Sequence, residues 1–122
     1  MIVRSCTPLA ATGDGYRPTT RFGCDHYPGT VPLHIFFEVI LQPELVGVPI
    51  PFDVALSDES HTTLGSDYTF VWNKRRGDNT YFSYIWRVEG IQVPKPDEYL
   101  LEVYIAARLL RSIWIHCVET AA

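Results

Sequence analysis

A chain of 122 residues and 13.9 kDa has room for one hydrophobic core, and 47% hydrophobic with 20% charged residues excludes a disordered chain. A formal charge of −4 and a pI of 5.4 supply no bulk attraction for nucleic acid or an anionic membrane. No apolar run reaches the roughly 18 residues of a membrane-spanning helix.

The first sixteen residues are too broken in hydropathy for a secretory leader, so a cytoplasmic setting is expected. Cys6, Cys24 and Cys117 are odd in number and widely spaced. They read as buried free thiols rather than a disulfide framework. Aromatics at 13%, nine prolines and eight glycines favour many short strands over helices.

In chain order, residues 2–9 predict a first strand, and Thr12-Gly13-Asp14-Gly15 a turn. Residues 16–22 predict a short strand which Pro18 confines to a sheet edge. Residues 23–31 read as a loop. Residues 32–42, PLHIFFEVILQ, carry the cleanest alternation, with Leu33, Ile35, Phe37, Val39 and Leu41 on one face. Their other face is mixed, as in a strand half covered by a partner.

After a turn-rich break at 43–48, residues 50–57 alternate Phe52, Val54 and Leu56 against Asp53 and Ala55. A polar turn at 57–60 leads to a short strand at 61–64, closed by Gly65-Ser66, and then to another at 67–73. Lys74 to Asn79 is a polar loop.

The chain is organised around residues 80–106. Residues 80–89 are dense in aromatic and β-branched side chains, which suit a pleated, half-buried surface. Gly90, Pro94 and Pro96 then force a corner. Residues 98–105 put Tyr99, Leu101, Val103 and Ile105 on one face, and 109–118 form the last strand, with a fraying tail from Glu119. A helix over 97–116 is the rival reading. On a helical wheel, however, Leu101, Ile105 and Leu109 share their sector with Glu98, Glu102, Arg108 and Ser112, whereas the strand alternation is clean.

The expected fold is all-β: a single domain over 1–122, an antiparallel β-sandwich of about seven to nine short strands, immunoglobulin-like or related.

Three features together resemble a family of uncharacterised small bacterial all-β domains. They are the strand, Gly13-Asp14-Gly15 turn and loop ending in Pro32; the long apolar strand followed by Pro43-Glu44-Leu45-Val46-Gly47 and IPFDVALSDES; and the pair GIQVPKPDEYLLEVYI and LLRSIWIHCV. The resemblance covers nearly the whole chain. It implies an immunoglobulin-like or related sandwich in a bacterial, intracellular setting, and it carries no activity or catalytic residue. Such corners commonly place a glycine before the tyrosine, where this chain has Asp97-Glu98.

No constellation demands chemistry. His26, His34, His61 and His116 lack metal-ligand spacing, although Cys24, Asp25 and His26 are adjacent. Cys24 with His26 matches a nucleophile and base by type only. Ser57, Ser60 and Ser66 near Asp58 and His61 lack a nucleophile elbow. Asp58-Glu59 and Asp97-Glu98-Glu102 read as solvated turns and faces.

The loop of Lys74, Arg75 and Arg76, flanked by Trp72 and Tyr81, is the strongest positive feature, because basic groups beside aromatics suit contacts. Phe36, Trp72, Tyr81, Tyr84, Trp86, Tyr104 and Trp114 exceed what one small core holds, so some should reach the surface and mark an interface.

The expected function is a non-catalytic interaction module that self-associates, as a homodimer for instance, or takes a protein partner. Contact would run through an edge strand or an aromatic face that includes Trp72, Lys74, Arg75, Arg76, Tyr81 and Trp114. No cofactor, metal, membrane or nucleic acid is called for. The alternatives are a carbohydrate or nucleotide site near the 74–79 loop, and a small inhibitor or adaptor from a mobile element.

Overall fold

The fold is taken from a computed structural model that describes residues 2–60, 63–71 and 81–120. Among the described residues the chain is all-β, and its one helical element is a single 3-10 turn at Pro43–Leu45. The strands are β1 (Ile2–Thr12), β2 (Gly15–Pro18), β3 (Arg21–Cys24), β4 (Gly29–Thr30), β5 (His34–Ile40), β6 (Ile50–Ser57), β7 (Thr63–Phe70), β8 (Tyr81–Arg87), β9 (Gln92–Val93), β10 (Asp97–Ile105) and β11 (Arg108–Glu119).

They form a four-stranded sheet in the order β2-β1-β5-β8, a five-stranded sheet in the order β3-β11-β10-β6-β7, and a small β4-β9 pair. Every pairing is antiparallel except β3 with β11, which is parallel.

Alternation decides which face is buried. Ile35, Phe37 and Val39 of β5, Phe52, Val54 and Leu56 of β6, and Tyr99, Leu101, Val103 and Ile105 of β10 are all buried. The two large sheets meet through these faces in one core. Phe37 of β5 meets Phe52 of β6 edge to face at a ring-centroid separation of 5.0 Å. Each such side chain contributes about 1.5–3 kcal/mol on burial.

Several boundaries depart from the sequence expectation, each for a local reason. Residues 16–22 are two strands in different sheets. Pro18 ends β2 at the edge of the four-stranded sheet, and the chain crosses to lay β3 beside β11. The expected loop at 23–31 contains β4, which β9 covers. Gly65-Ser66 does not close a strand: β7 runs through it, paired with β6 from Ile50↔Phe70 to Ser57↔Thr63.

Residues 97–116 are a hairpin and not a helix, with Ala106 and Ala107 as its two turn residues at φ 50° and 65°. A register shift at Val103/Tyr104 inserts one residue into β11, so Leu109 turns outward and is 52% exposed. The tail is held at Thr120, whose N–H donates to the Cys24 carbonyl at 3.0 Å and whose hydroxyl donates to Asp25.

The corner before β10 closes without the expected glycine. The Tyr99 hydroxyl donates to the Lys95 carbonyl at 2.8 Å, tying the start of β10 back to the 94–96 bend. On one flank of the core, Arg111 of β11 donates through Nη1 to the Cys6 carbonyl of β1 at 2.8 Å, tying the two sheets together. The opposite flank, between the end strands β7 and β8, is lined by aromatic rings.

Candidate binding edge and cleft

Strand β8 is an end strand of its sheet, and one hydrogen bond defines which of its backbone groups look outward. The Val88 N–H donates to the Leu33 carbonyl at 3.0 Å, and β8 pairs with β5 in the same register, Arg87↔His34 through Tyr81↔Ile40. Bonded and non-bonded pairs alternate in an antiparallel ladder. The backbone groups of Trp86 and Tyr84 therefore face β5, and those of Arg87, Ile85, Ser83 and Tyr81 face away. The same alternation puts Pro8, which has no N–H to give, at a non-bonded position opposite Ile35. Among the described residues no strand pairs with the outer side of β8.

Aromatic side chains flank this edge on both faces. On the core side, Phe70 touches Tyr84 edge-on at 4.5 Å and Tyr68 at 4.4 Å, and Tyr68 lies 6.4 Å from Trp86. Trp86 is buried, whereas Tyr84 and Tyr68 are 39% and 49% exposed, and among the described residues no strand closes the flank between β7 and β8. A cleft of about 420 Å³ lies there, walled by Tyr68, Tyr84 and Trp86 with Asp67 and Arg87. Burial and the nearby Tyr68 push the Tyr84 phenol above its usual pKa. On the outer face, Tyr81 donates its hydroxyl to the Glu38 carboxylate, and that bond raises the phenol's pKa.

A second cleft, of about 740 Å³, opens on the outer face at the far end of β8. His34, Tyr16, Ile85, Arg87 and Glu89 contribute to its walls. The rings of Tyr16 and His34 meet edge to face, 5.1 Å apart. His34 Nδ1 is buried and makes no hydrogen bond. Burial, and then the Arg87 charge, lower the pKa of this imidazole, so it is neutral at physiological pH. Arg87 and Glu89 form an exposed pair at 3.8 Å, which contributes little to stability.

Of the residues expected to make contacts, Trp72, Lys74, Arg75 and Arg76 lie outside the described residues. Tyr81 and Trp114 are 40% and 50% exposed but belong to the outward faces of different sheets, so they do not form one patch. His61 also lies outside the described residues. Tyr84 was expected only as one of the aromatics in excess of the core, and Tyr68 and His34 escaped the sequence reading as contact residues. The only signal for His34 was the mixed outer face of its strand.

The remaining candidates have structural roles. Cys24 is buried and donates its thiol to the Thr30 carbonyl at 3.3 Å. Burial pushes the thiols of Cys6 and Cys117 up to about 11 and about 12. Glu98 pairs with His116 across β10 and β11 at 3.1 Å, and Asp58 accepts hydrogen bonds from the Ser60 N–H and hydroxyl in a turn. Among the described residues no three His, Cys, Asp or Glu side chains are grouped to hold a metal ion. No described helix is long and apolar enough to cross a membrane.

No protein-family model matches this sequence, and no curated protein matches it either.

Proposed function

We propose that this chain is an immunoglobulin-like sandwich serving as a non-catalytic interaction module, and that it self-associates by joining β8 of one copy to β8 of a second. The strand order supports the fold: β1, β5 and β8 follow strands A, B and E, while β7, β6, β10 and β11 follow C′, C, F and G. Tyr99, at the start of the F-like strand and bonded back four residues, matches the tyrosine corner of such domains. The buried, protonated thiols of Cys6 and Cys117 support a non-catalytic reading, since the thiolate is the nucleophile.

The observation that carries the function is the outward row of backbone groups on β8, bordered by the exposed rings of Tyr81 and Tyr84. An edge strand of this kind is a template for another strand. A two-fold antiparallel joint centred on Tyr84 sets that ring against its own copy and Ser83 opposite Ile85, so backbone bonding and aromatic pairing act together. Such a joint is self-complementary and closes after two copies.

Ser83→Pro tests it. Proline removes an N–H that faces outward and leaves the β5 ladder intact. The wild type is expected to be a dimer by light scattering, and S83P a monomer with an unchanged far-UV circular dichroism spectrum. A monomeric wild type, or a dimeric S83P, refutes the proposal.

A further inference from the structure

We infer that the cleft beside His34 binds a neutral, hydroxyl-rich ring, the chemistry of a pyranose sugar. The site lies at the Arg87 end of β8. The β1–β2 hairpin through Ala11 and Tyr16, residues 30–34 leading into β5, and Ile85, Arg87 and residues 88–90 at the end of β8 build it. The volume of this open cleft, about 740 Å³, falls within the range of small-molecule sites.

A sugar ring offers an apolar C–H face and a rim of hydroxyls that both donate and accept. The walls answer both demands. The Tyr16 ring is 49% exposed, yet its orientation is held by the edge contact with His34, so it forms a ready platform. Arg87 has only donors and Glu89 only acceptors, and they lie 3.8 Å apart, matched to neighbouring hydroxyls. Their charges cancel and the imidazole adds none. An anion would meet the Glu89 carboxylate and a cation the Arg87 guanidinium, which leaves a neutral ligand favoured.

The test is a titration of the ¹⁵N-labelled protein with the methyl α- and β-pyranosides of glucose, galactose and mannose, with glycerol as the acyclic polyol. Saturable shifts are expected with at least one pyranoside at the amides of Tyr16, His34, Arg87 and Glu89, and none with glycerol. Tyr16→Ala should weaken that binding about tenfold through loss of the platform, Tyr16→Phe should retain it, and Arg87→Ala should weaken it. Both altered residues are exposed, so the variants keep the dispersed spectrum of the folded domain. Absence of saturation with every pyranoside overturns the inference. An equal response to glycerol, or unchanged affinity in both Y16A and R87A, does the same.

Discussion

At the scale of single residues, His34 couples the outer cleft to pH. Its imidazole is packed against Tyr16 and faces Arg87 across the β5–β8 register, with Glu89 at the cleft wall. Burial, and then the Arg87 charge, lower its pKa from 6.5 in the folded state. The unfolded chain therefore binds the proton first. Stability from this group is complete above pH 6.5 and is lost as the pH falls through the folded value. Denaturant unfolding between pH 7.5 and 5 should show falling stability on acidification. His34→Phe, which keeps an aromatic ring against Tyr16, should flatten that part of the curve. An unchanged slope would mean that the ring is protonated freely in the native state.

The elements hold together through features of unequal visibility in the chain. Alternation on β5, β6 and β10 was legible because each has one face in the core and one outside. The β10–β11 hairpin was not legible as a turn, because Ala106 and Ala107 are helix-forming residues placed at positive φ. Tertiary pairing overrides their preference: β10 is bonded on both sides, to β6 and to β11. The left-handed conformation costs a side chain about 1–2 kcal/mol. The double substitution Ala106→Asn with Ala107→Gly gives the turn the residues its backbone favours. It is expected to stabilise the domain by about 1–2 kcal/mol, read as a higher denaturation midpoint with an unchanged m-value. A lower midpoint would show that the alanine methyls make contacts worth more than the backbone strain.

For the whole molecule, the question is which surface joins copies. The proposed β8 joint would put Tyr84 at its centre, while Trp114 sits on the outward face of the other sheet, opposite Leu100. Trp114→Ala should leave the dimer intact and change stability far less than a core substitution. Trp86→Ala, which empties a site packed by Phe37, Phe52 and Phe70, should cost about 3–5 kcal/mol. Dissociation of the dimer in W114A at native stability would transfer the interface to the five-stranded sheet.

Local pattern determined the fold class: period-2 alternation, proline and glycine breaks and β-branched residues act within a few residues of one another. Tertiary structure alone decided that β2 and β3 belong to different sheets, that β3 lies parallel to β11, and that β8 ends its sheet. It also decided that Tyr16, His34, Arg87 and Glu89 wall one cleft. Those outcomes depend on which strands pair across long stretches of chain, and pairing is selected by burial of the shared core rather than by neighbours in sequence. Exposed aromatics were expected from the excess over core volume, but their division between two opposite faces follows from strand order alone.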